Sequence, residues 1–488
     1  FTPLRLRGSA SPFAAVRQLL EDVRARVNIG FEMLSRDIDN GRRVPAHERP
    51  PGLAGAHRGL QALSQRFRFG HADTATRSDD GQLAKIRAPL FVFILAEELT
   101  RPFLPGYIKS LLVPIPGLPW LAPEVIVGLP IALFMLIVAL GQPFLGAYTQ
   151  RVGNRHAMMV GAGVAAAGFV ASAFAASVLD LLLWRSLCAL GYGLVFVAAQ
   201  GHVLEHTNNG NRAKSFALFI GAIMVATVCG PSIGGILADN IGERWTLGIA
   251  ALLAIGSMGA IRLLPRQSSD SAAEQAAARP PTGREIGSLM VNKRFMTVTG
   301  LAAIPAKVLL TGVCFYLVPL YVLSLGSTQS VVGRILMLYG VVMVVMSPLA
   351  ASFATTRERM EWLVGAGLLL SGIGTLLLMA GDHVGWIFAA VFLIGLGQSL
   401  SMAAQSALVR EHCDKEVSTM GEPAVYGVYR LLERLGNALG PLLAAVLLMA
   451  FGYRTGFVAT GSAVALCGLL FILATRRSPP RAALATAS

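Results

Sequence analysis

Long apolar runs alternate with short polar stretches over most of the chain, from about residue 87 to residue 476. Each run is long enough for a membrane-spanning helix, which needs about 20 predominantly apolar residues. The intervening polar residues place the ends of each run to within about 2–4 residues. The pattern predicts twelve spans, at about 88–112, 122–149, 156–178, 180–204, 213–238, 244–264, 295–325, 330–355, 361–381, 384–408, 422–451 and 454–475.

The first apolar run, Arg87–Leu112, carries charges near its middle. Glu97 lies ten residues after Arg87, which is about 15 Å along a helix that rises 1.5 Å per residue. A charge at that depth costs about 2.5–3.5 kcal/mol on insertion scales, so it normally faces a bundle interior or a water-filled cavity. Glu97 and Arg101 are four residues apart, so we expect them to share a helix face and form an ion pair. Glu98 is the second acid at this depth.

Two prolines, Pro102 and Pro105, follow these charges. Each removes a backbone donor, which frees the carbonyl groups of Glu98 and Arg101 for other partners. A broken helix with acidic residues near the membrane midplane is how many transporters build a substrate or ion site. The alternative is an intramembrane ion pair with a purely structural role.

The composition extends the membrane interpretation to the whole chain, because 54% of the residues are hydrophobic and only 14% are charged. An average soluble domain has about 25% charged residues. The net charge of +14 does not indicate nucleic-acid binding, because the sequence lacks the interleaved aromatic and basic residues that grip single strands. The five cysteines are scattered without a CxxC pair, so neither a disulfide framework nor a zinc site is predicted.

Two sequence patterns bear on enzyme activity. The chain has no GKS or GKT phosphate loop, so it is not expected to use ATP itself. His202-Val-Leu-Glu205-His206 has the H-x-x-E-H order of some zinc proteases, but no third ligand is obvious. We therefore predict no catalytic residue, no metal and no cofactor.

The polar residues 1–86 are expected to form a soluble helical extension. An apolar stripe at a/d heptad spacing runs through its first part. The stripe fits a coiled coil, including one that joins two copies of the chain, and equally an amphipathic helix lying on a neighbour or on the membrane. Its members are Val16, Leu20, Val23, Val27, Phe31, Leu34 and Ile38.

Basic residues collect in alternate connections between the spans, for example at Arg151 and Arg155 and again at Arg476 and Arg477. By the positive-inside rule, both termini are expected to be cytoplasmic. The expected location is a plasma membrane, with a bacterial inner membrane favoured. Residues 265–294 are rich in Ser, Ala and Pro, which is typical of a flexible linker. We divide the chain into an extension (1–86), a first six-helix bundle (87–264), a linker (265–294), a second six-helix bundle (295–476) and a cytoplasmic tail (477–488).

The two bundles share short sequence patterns in the same order, at offsets of 204 to 214 residues. Together they indicate an internal duplication, and parallel repeats with a site between them describe one class of secondary transporter. The matched pairs are Pro105-x-Tyr107-x-x-Ser110 with Pro319-x-Tyr321-x-x-Ser324, Pro143 with Pro348, Val160-Gly-Ala-Gly163 with Val364-Gly-Ala-Gly367, and Gly230-Pro231 with Gly440-Pro441.

The loop after the second span resembles the G-x-L-x-D-R-x-G-R-R motif of the major facilitator superfamily. Gly146, Arg151, Gly153 and Arg155 match this motif, whereas Gln150 stands where the family usually has Asp. In the family this loop latches the two halves together on the cytoplasmic side, against the positive end of a helix dipole. The resemblance implies that the neutral Gln150 closes this gate less firmly.

The fifth span carries a pattern similar to that of drug:proton antiporters within the superfamily. The resemblance implies export, and small residues of this kind let helices approach closely. A generic packing face is the alternative. The pattern comprises Gly221, Gly230, Pro231, Gly234 and Gly235.

Two further charged positions and one charged cluster are expected to complete the sites. Arg185 followed by Gly191 and Gly193 resembles the family's buried arginine of the fourth span, although Ala189 replaces one glycine; the alternative is an arginine that snorkels to the interface. Lys307 is predicted either to face the acids of the first span across the two halves or to line a wet cavity. The charged cluster is expected to form an ion network at the cytoplasmic gate and comprises Arg430, Glu433 and Arg434.

These observations predict an all-α membrane protein with twelve transmembrane helices in two pseudo-symmetric six-helix halves and a soluble N-terminal extension. The expected function is proton-coupled efflux of a small organic molecule across the lipid bilayer by alternating access. A proton-coupled importer and a ligand-binding membrane sensor that signals through its N-terminal helices are the alternatives. The predicted proton and substrate site comprises Glu97, Glu98, Arg101, Arg185 and Lys307.

Overall fold

The computed structural model describes residues 76–112, 122–205, 212–264 and 283–476, and within these ranges the regular structure is helical. The predicted heptad stripe and the cytoplasmic tail lie outside the described residues. In chain order the helices are α1 (Thr76–Glu98), α2 (Leu104–Ser110), α3 (Pro123–Val152), α4 (Asn154–Ala173), α5 (Val178–Glu205), α6 (Arg212–Ile241), α7 (Glu243–Ile261), α8 (Gly283–Val291), α9 (Lys293–Ser324), α10 (Gln329–Phe353), α11 (Arg357–Leu376), α12 (Val384–His412), α13 (Asp414–Met420) and α14 (Glu422–Arg476).

Ten helices within the described residues are long and apolar enough to cross a membrane. The last of them, α14, contains Gly452 with a φ of 74°, where the chain turns between residues 422–451 and 453–476. The first predicted span is not among the ten, because it is divided into α1 and α2. The ten helices differ from the twelve predicted spans in these two places, and the count of twelve stays a prediction.

Several boundaries differ from the prediction. Helix α1 begins at Thr76, inside the stretch predicted as extension, and α4 ends at Ala173 rather than near residue 178. The last part of the predicted linker is the helix α8, whose Leu289 is fully buried. The division of the chain into domains otherwise stays a prediction.

The ends of the first and seventh predicted spans lie together and carry the same local hydrogen bond. The hydroxyl of Ser110 donates to the carbonyl of Tyr107 at 2.8 Å, and that of Ser324 donates to Tyr321 at 2.7 Å. A Cβ added at Gly106 would come within 2.9 Å of the Leu323 side chain. The two proline motifs therefore occupy equivalent and neighbouring places in the two halves.

Contacts of the proline carbonyls support the duplication in a second place. A Cβ at Gly128 of α3 would come within 3.1 Å of the carbonyl oxygen of Pro441 in α14. A Cβ at Gly333 of α10 would likewise meet the carbonyl oxygen of Pro231 in α6. Each half thus contributes one glycine and one proline to two equivalent crossings.

One of the four matches has the wrong register. Gly161 packs against Gly191 in the first half, and Gly367 packs against Gly397 in the second. These contacts relate the halves by 206 residues, whereas the matched Val-Gly-Ala-Gly strings are 204 residues apart. The string match is therefore wrong by two positions, because a short run of small residues does not identify which glycine lies at the helix crossing.

The glycine face of α6 packs on both halves. A Cβ added at Gly230 would overlap the Cβ of Glu98, and one added at Gly234 would overlap the carbonyl oxygen of Leu99. On the other half, a Cβ added at Gly235 would overlap the carbonyl oxygen of Gln329. Gly221 has open space around it, so its predicted packing role is wrong. The pattern thus serves close packing over its last part only.

We expect Gly234→Ala to destabilise the protein, because the added methyl group forces α6 away from the backbone at Leu99. Overpacking of this kind costs about 1–3 kcal/mol. Thermal unfolding in detergent should therefore begin several degrees lower. Gly221→Ala is the matched control, since its methyl group meets nothing and alanine favours helix by about 0.5–1 kcal/mol over glycine. Equal melting temperatures for the two variants would contradict this account of the packing.

An exposed ion pair joins two outer parts of the second half. Asp382, in the turn between α11 and α12, accepts hydrogen bonds from the Tyr321 hydroxyl at 2.7 Å and from Arg454 at 2.9 Å. These bonds, with that of Tyr321 the larger cause, lower the pKa of Asp382 below its ordinary value. Because both partners of the Arg454 pair are more than half exposed, solvent screens their attraction, unlike that of a buried pair.

Candidate functional site

The first span breaks directly after the two acids. Residues 99–103 form turns in which Thr100 and Arg101 donate their amides to the carbonyls of Glu97 and Glu98, three residues back. The Thr100 hydroxyl also donates to the Glu97 carbonyl, at 2.8 Å. Because proline lacks an amide hydrogen, Pro102 cannot continue the helical ladder. The break places Glu97 and Glu98 at the end of α1, deep in the bundle.

Each acid has its own arginine. The Arg101 Nε lies 2.6 Å from Glu98 Oε2, and Arg185 of α5 forms a short ion pair with Glu97. The predicted pairing of Glu97 with Arg101 is therefore wrong. The i,i+4 geometry behind it requires an unbroken helix, and the turn at Leu99 rotates Arg101 toward Glu98 instead.

Arg185 lies inside the first half. It is only 2% exposed, and its guanidinium carbon lies 4.9 Å from the centre of the Phe134 ring and 5.8 Å from that of Phe169. The snorkelling alternative is therefore wrong. An arginine between aromatic faces and paired with Glu97 retains its charge at low exposure, because both the carboxylate and the ring faces favour a cation.

The second half contributes a separate ion cluster, in which Glu433 is shared by two cations. Lys307 Nζ lies 3.6 Å from Glu433 Oε1, and Arg430 Nη1 lies 2.8 Å from Oε2. Lys307 follows a π-helical turn (Thr299–Ala303) and precedes another (Leu310–Leu317), and such turns are frequent at functional sites. The prediction that Lys307 pairs with the acids of the first span is wrong, because Glu433 from its own half is nearer.

A cavity of about 300 Å³ lies between the halves and is lined by the Glu98–Arg101 pair and by the cluster around Glu433. Glu433 is buried at its wall, and the role of this cluster in a cytoplasmic gate stays a prediction. Arg434 reaches across to the first half, where its guanidinium carbon lies 5.5 Å from the centre of the Phe196 ring. The charged lining residues are Glu98, Arg101, Lys307, Arg430, Glu433 and Arg434.

The wall of this cavity also has an aromatic part that the sequence analysis missed. Phe134 and Tyr192 come from the first half, and Phe315 and Tyr339 come from the second. Arg101 lies over the Phe315 ring at 4.5 Å and so links the halves. Aromatic residues occur throughout apolar spans, so the sequence gives no signal that these four converge.

The loop motif after α3 makes contacts within the first half. Gly153 has a φ of 84° between α3 and α4, a conformation that favours glycine. Arg155 donates to the Arg262 carbonyl at 2.6 Å, and the Asn154 amide donates to Glu205 at 2.6 Å. The side chains of Gln150 and Arg151 are exposed, and their role in a latch stays a prediction, as does that of Gly146.

Among the described residues, no group of three or more His, Cys, Asp or Glu side chains could hold a metal ion.

The described contacts between the halves concentrate at one end of the bundle, here called the closed end, which contains the starts of α3 and α10 and the end of α6. There Tyr316 donates its hydroxyl to the Glu124 carbonyl at 2.5 Å. Asp239 of α6 accepts hydrogen bonds from the backbone amides of Gln329 and Ser330 at 3.0 and 2.7 Å, and from the Ser330 hydroxyl. Asp239 therefore caps α10 from the opposite half, in a place where the positive end of the helix dipole favours an anion.

We expect Asp239→Asn to loosen the closed end, because the amide removes both the negative charge and one acceptor from the start of α10. Charged hydrogen bonds contribute about 1.5–3 kcal/mol, so the population open at this end should rise about tenfold or more. Spin labels at cysteines replacing Lys109 and His383, in a background without the native cysteines, should show a longer distance component. Asp180→Asn is the control, since among the described residues the Asp180 carboxylate accepts from the amide of Ala176, within its own half. An unchanged distance distribution in Asp239→Asn would contradict the proposed role of this cap.

Known transporters resemble this chain in sequence and in fold. The chain is 27% identical over 300 residues to the riboflavin transporter RfnT of Brucella anthropi, covering 59% of this chain and 72% of the relative. It is 24% identical to the vesicular acetylcholine transporter of Rattus norvegicus, covering 74% of this chain and 67% of the relative. Among solved structures, a bacterial homologue of the human lysosomal transporter Spinster, crystallised inward-facing and unoccupied, matches with a TM-score of 0.64 at 15% identity, covering 82% of this chain and 97% of that one.

The sequence profile of the Major Facilitator Superfamily matches residues 90–421 and 325–488, which include most of both predicted bundles. The match covers the broken first helix, the cavity and the pseudo-symmetric crossings described above. The chain belongs to the Major Facilitator Superfamily of membrane transporters.

Proposed function

We propose that this protein exports a small organic molecule in exchange for protons, by alternating access of the central cavity. The observation that carries the proposal is the pair of buried carboxylates at the break of the first span. Glu98 faces the cavity between the halves, and Glu97 lies beside it with Arg185. Ionisable side chains at such a depth commonly mark proton or substrate pathways.

Alternating access requires a second arrangement of the halves, and the closed end is where the present one is held. The distribution of basic loop residues predicts that this end is extracellular. The cavity would then face the cytoplasm, ready to take up the molecule to be exported. Release outside requires the contacts of Asp239 with α10 to break.

Coupling to protons is assigned to Glu98. Its carboxylate and Arg101 line the same cavity, and Arg101 also contacts Phe315 of the second half. Protonation of Glu98 removes its attraction for Arg101, which leaves the guanidinium free for substrate or for movement with the second half. A ligand or proton can shift the equilibrium between two states only through such a difference in interaction.

One observation favours export, and the names of the relatives favour an organic substrate. The glycine pattern of α6 resembles that of drug:proton antiporters, and it packs directly on the acid-bearing segment at Glu98 and Leu99. Movement of α6 during the cycle would therefore act on the acids. The relatives, a riboflavin transporter and a vesicular acetylcholine transporter, carry organic molecules by name.

Transport in reconstituted vesicles tests the proposal. The purified protein is inserted into liposomes that are acidic inside, the membrane potential is clamped, and a panel of organic anions, cations and neutral metabolites is offered outside. Exchange for protons should accumulate a substrate inside the acidic vesicles and make their interior more alkaline. Protein-free liposomes are the control.

Reversing the gradient separates the rival directions. Accumulation only when the outside is acidic would indicate proton-coupled import and overturn the antiport proposal. Binding of a panel compound without gradient-driven movement in either direction would favour a ligand-binding sensor instead.

A further inference from the structure

The central cavity carries more positive than negative charge. Four cations and two carboxylates line it, so its formal charge is +2 within the described residues. Surplus like charge at low dielectric is costly, because two unit charges interact about four times more strongly at an effective dielectric constant of 20 than in water. An anionic ligand would remove this surplus.

The surplus positive charge lies in the cluster around Glu433, on α14 and the neighbouring part of α9. Glu98 is paired with Arg101, and the single carboxylate of Glu433 is shared between Lys307 and Arg430. Arg434 follows Glu433 directly, and its described contact is the face of Phe196, at 5.5 Å. Within the described part of the chain, Arg434 has no carboxylate within ion-pair distance. It can therefore bind an anion without breaking an existing ion pair.

The remaining wall fits an aromatic body. Tyr192, Phe315 and Tyr339 line the cavity beside the cations, together with methionines that adapt to ligands of varied shape. Asn437, one turn beyond Arg434, also lines the cavity, and its buried amide oxygen lacks a hydrogen-bond partner among the described residues. Polar ligand atoms could reach both the amide and the guanidinium.

We infer that the transported molecule is an organic anion with an aromatic body, whose acidic group is held by Arg434 and attracted by the positive charge of Arg430 nearby on the same helix. That this anion is transported rests on the proposed function, whereas its binding to the cavity does not depend on proton coupling. A planar acidic group suits arginine, which presents two parallel donors to carboxylate, sulfonate or phosphate oxygens. The aromatic body would lie against Tyr192 and Phe315.

Binding of three matched naphthalene compounds to the purified full chain tests the inference. The compounds are 2-naphthalenesulfonate, 2-naphthylmethanol and 2-naphthylmethylammonium, which share the aromatic body and differ in charge. Calorimetric titration in a non-ionic detergent should show the sulfonate binding at least about tenfold more tightly than the ammonium compound, because one favourable ion pair replaces a repulsion. Increasing the salt concentration should weaken only the sulfonate.

Arg434→Gln should lower the affinity for the sulfonate about tenfold and leave that for the neutral alcohol unchanged. Arg454→Gln, which removes an exposed arginine that does not line the cavity, should change neither. If Arg434→Gln does not fold, Arg430→Gln provides the same reduction of cavity charge, and its effect should have the same sign. Wild-type protein that binds the ammonium compound as tightly as the sulfonate, or binds no sulfonate, overturns the inference.

The outcomes distinguish the two proposals. Charge-selective binding that depends on Arg434, combined with transport that ignores the proton gradient, would support the anion site and remove proton coupling. Gradient-driven movement of cations alone, with no sulfonate binding, would support coupling and remove the anion site.

Discussion

Glu98→Gln should abolish proton-driven accumulation while leaving substrate binding intact. Glutamine has the shape of a protonated glutamate and keeps hydrogen-bonding capacity, but it cannot release a proton. One exchanged proton in a pH gradient of one unit supplies about 1.36 kcal/mol, which sustains about tenfold accumulation. In the variant this ratio should fall to about onefold, whereas exchange of labelled for unlabelled substrate down its own gradient should continue. Counterflow and gradient-driven uptake, measured in the same vesicle preparation, provide the comparison.

Glu97→Gln is the informative control for this experiment. The predicted pair of Glu97 with Arg101 would make Glu97 the coupling acid, but Arg101 pairs with Glu98 instead. In the structure Glu97 is bound to Arg185 within the first half, and Glu98 lines the cavity between the halves. If Glu98→Gln retains full proton-driven accumulation and Glu97→Gln loses it, the assignment must be reversed.

The spans and their order could be predicted from the sequence because a span depends on local composition, and the duplication could be predicted because short patterns recur in the same order. A run of about 20 apolar residues identifies a span wherever it packs. The pairing of the first-span charges could not be predicted, because it depends on where the helix breaks. The prolines at 102 and 105 indicate a break, but the turn begins at Leu99 and so changes which arginine meets which acid.

Contacts between segments that are distant in the sequence could not be predicted either. Glu433 reaches Lys307 over 126 residues of chain, and Asp239 reaches Ser330 over 91. In both cases the sequence shows charged or polar residues with several equally good partners. Repeats narrow the choice only when their register is known, and the contacts of Gly161 and Gly367 show that short strings of small residues can be displaced by two positions.

The pair of Glu97 and Arg185 should behave as a structural unit, and breaking it should produce the largest loss of stability among the variants considered. Arg185→Met leaves the Glu97 carboxylate buried without its partner, which costs about 3–5 kcal/mol in comparable sites. Met retains the apolar stem that packs near Phe134 and Phe169 but provides no charge for either ring. The free energy of unfolding, measured by denaturation with SDS in mixed micelles, should fall by about this amount.

The double variant Glu97→Gln/Arg185→Met should recover most of that loss, because neither buried charge then remains uncompensated. Replacing both partners of a buried pair is often neutral or stabilising, whereas removing one is not. Arg454→Met is the matched control, since its pair with Asp382 is more than half exposed and is screened by solvent, and it should change stability little. Single and double variants with additive effects would show that the two charges do not stabilise each other, and Glu97 would again become a candidate for proton transfer.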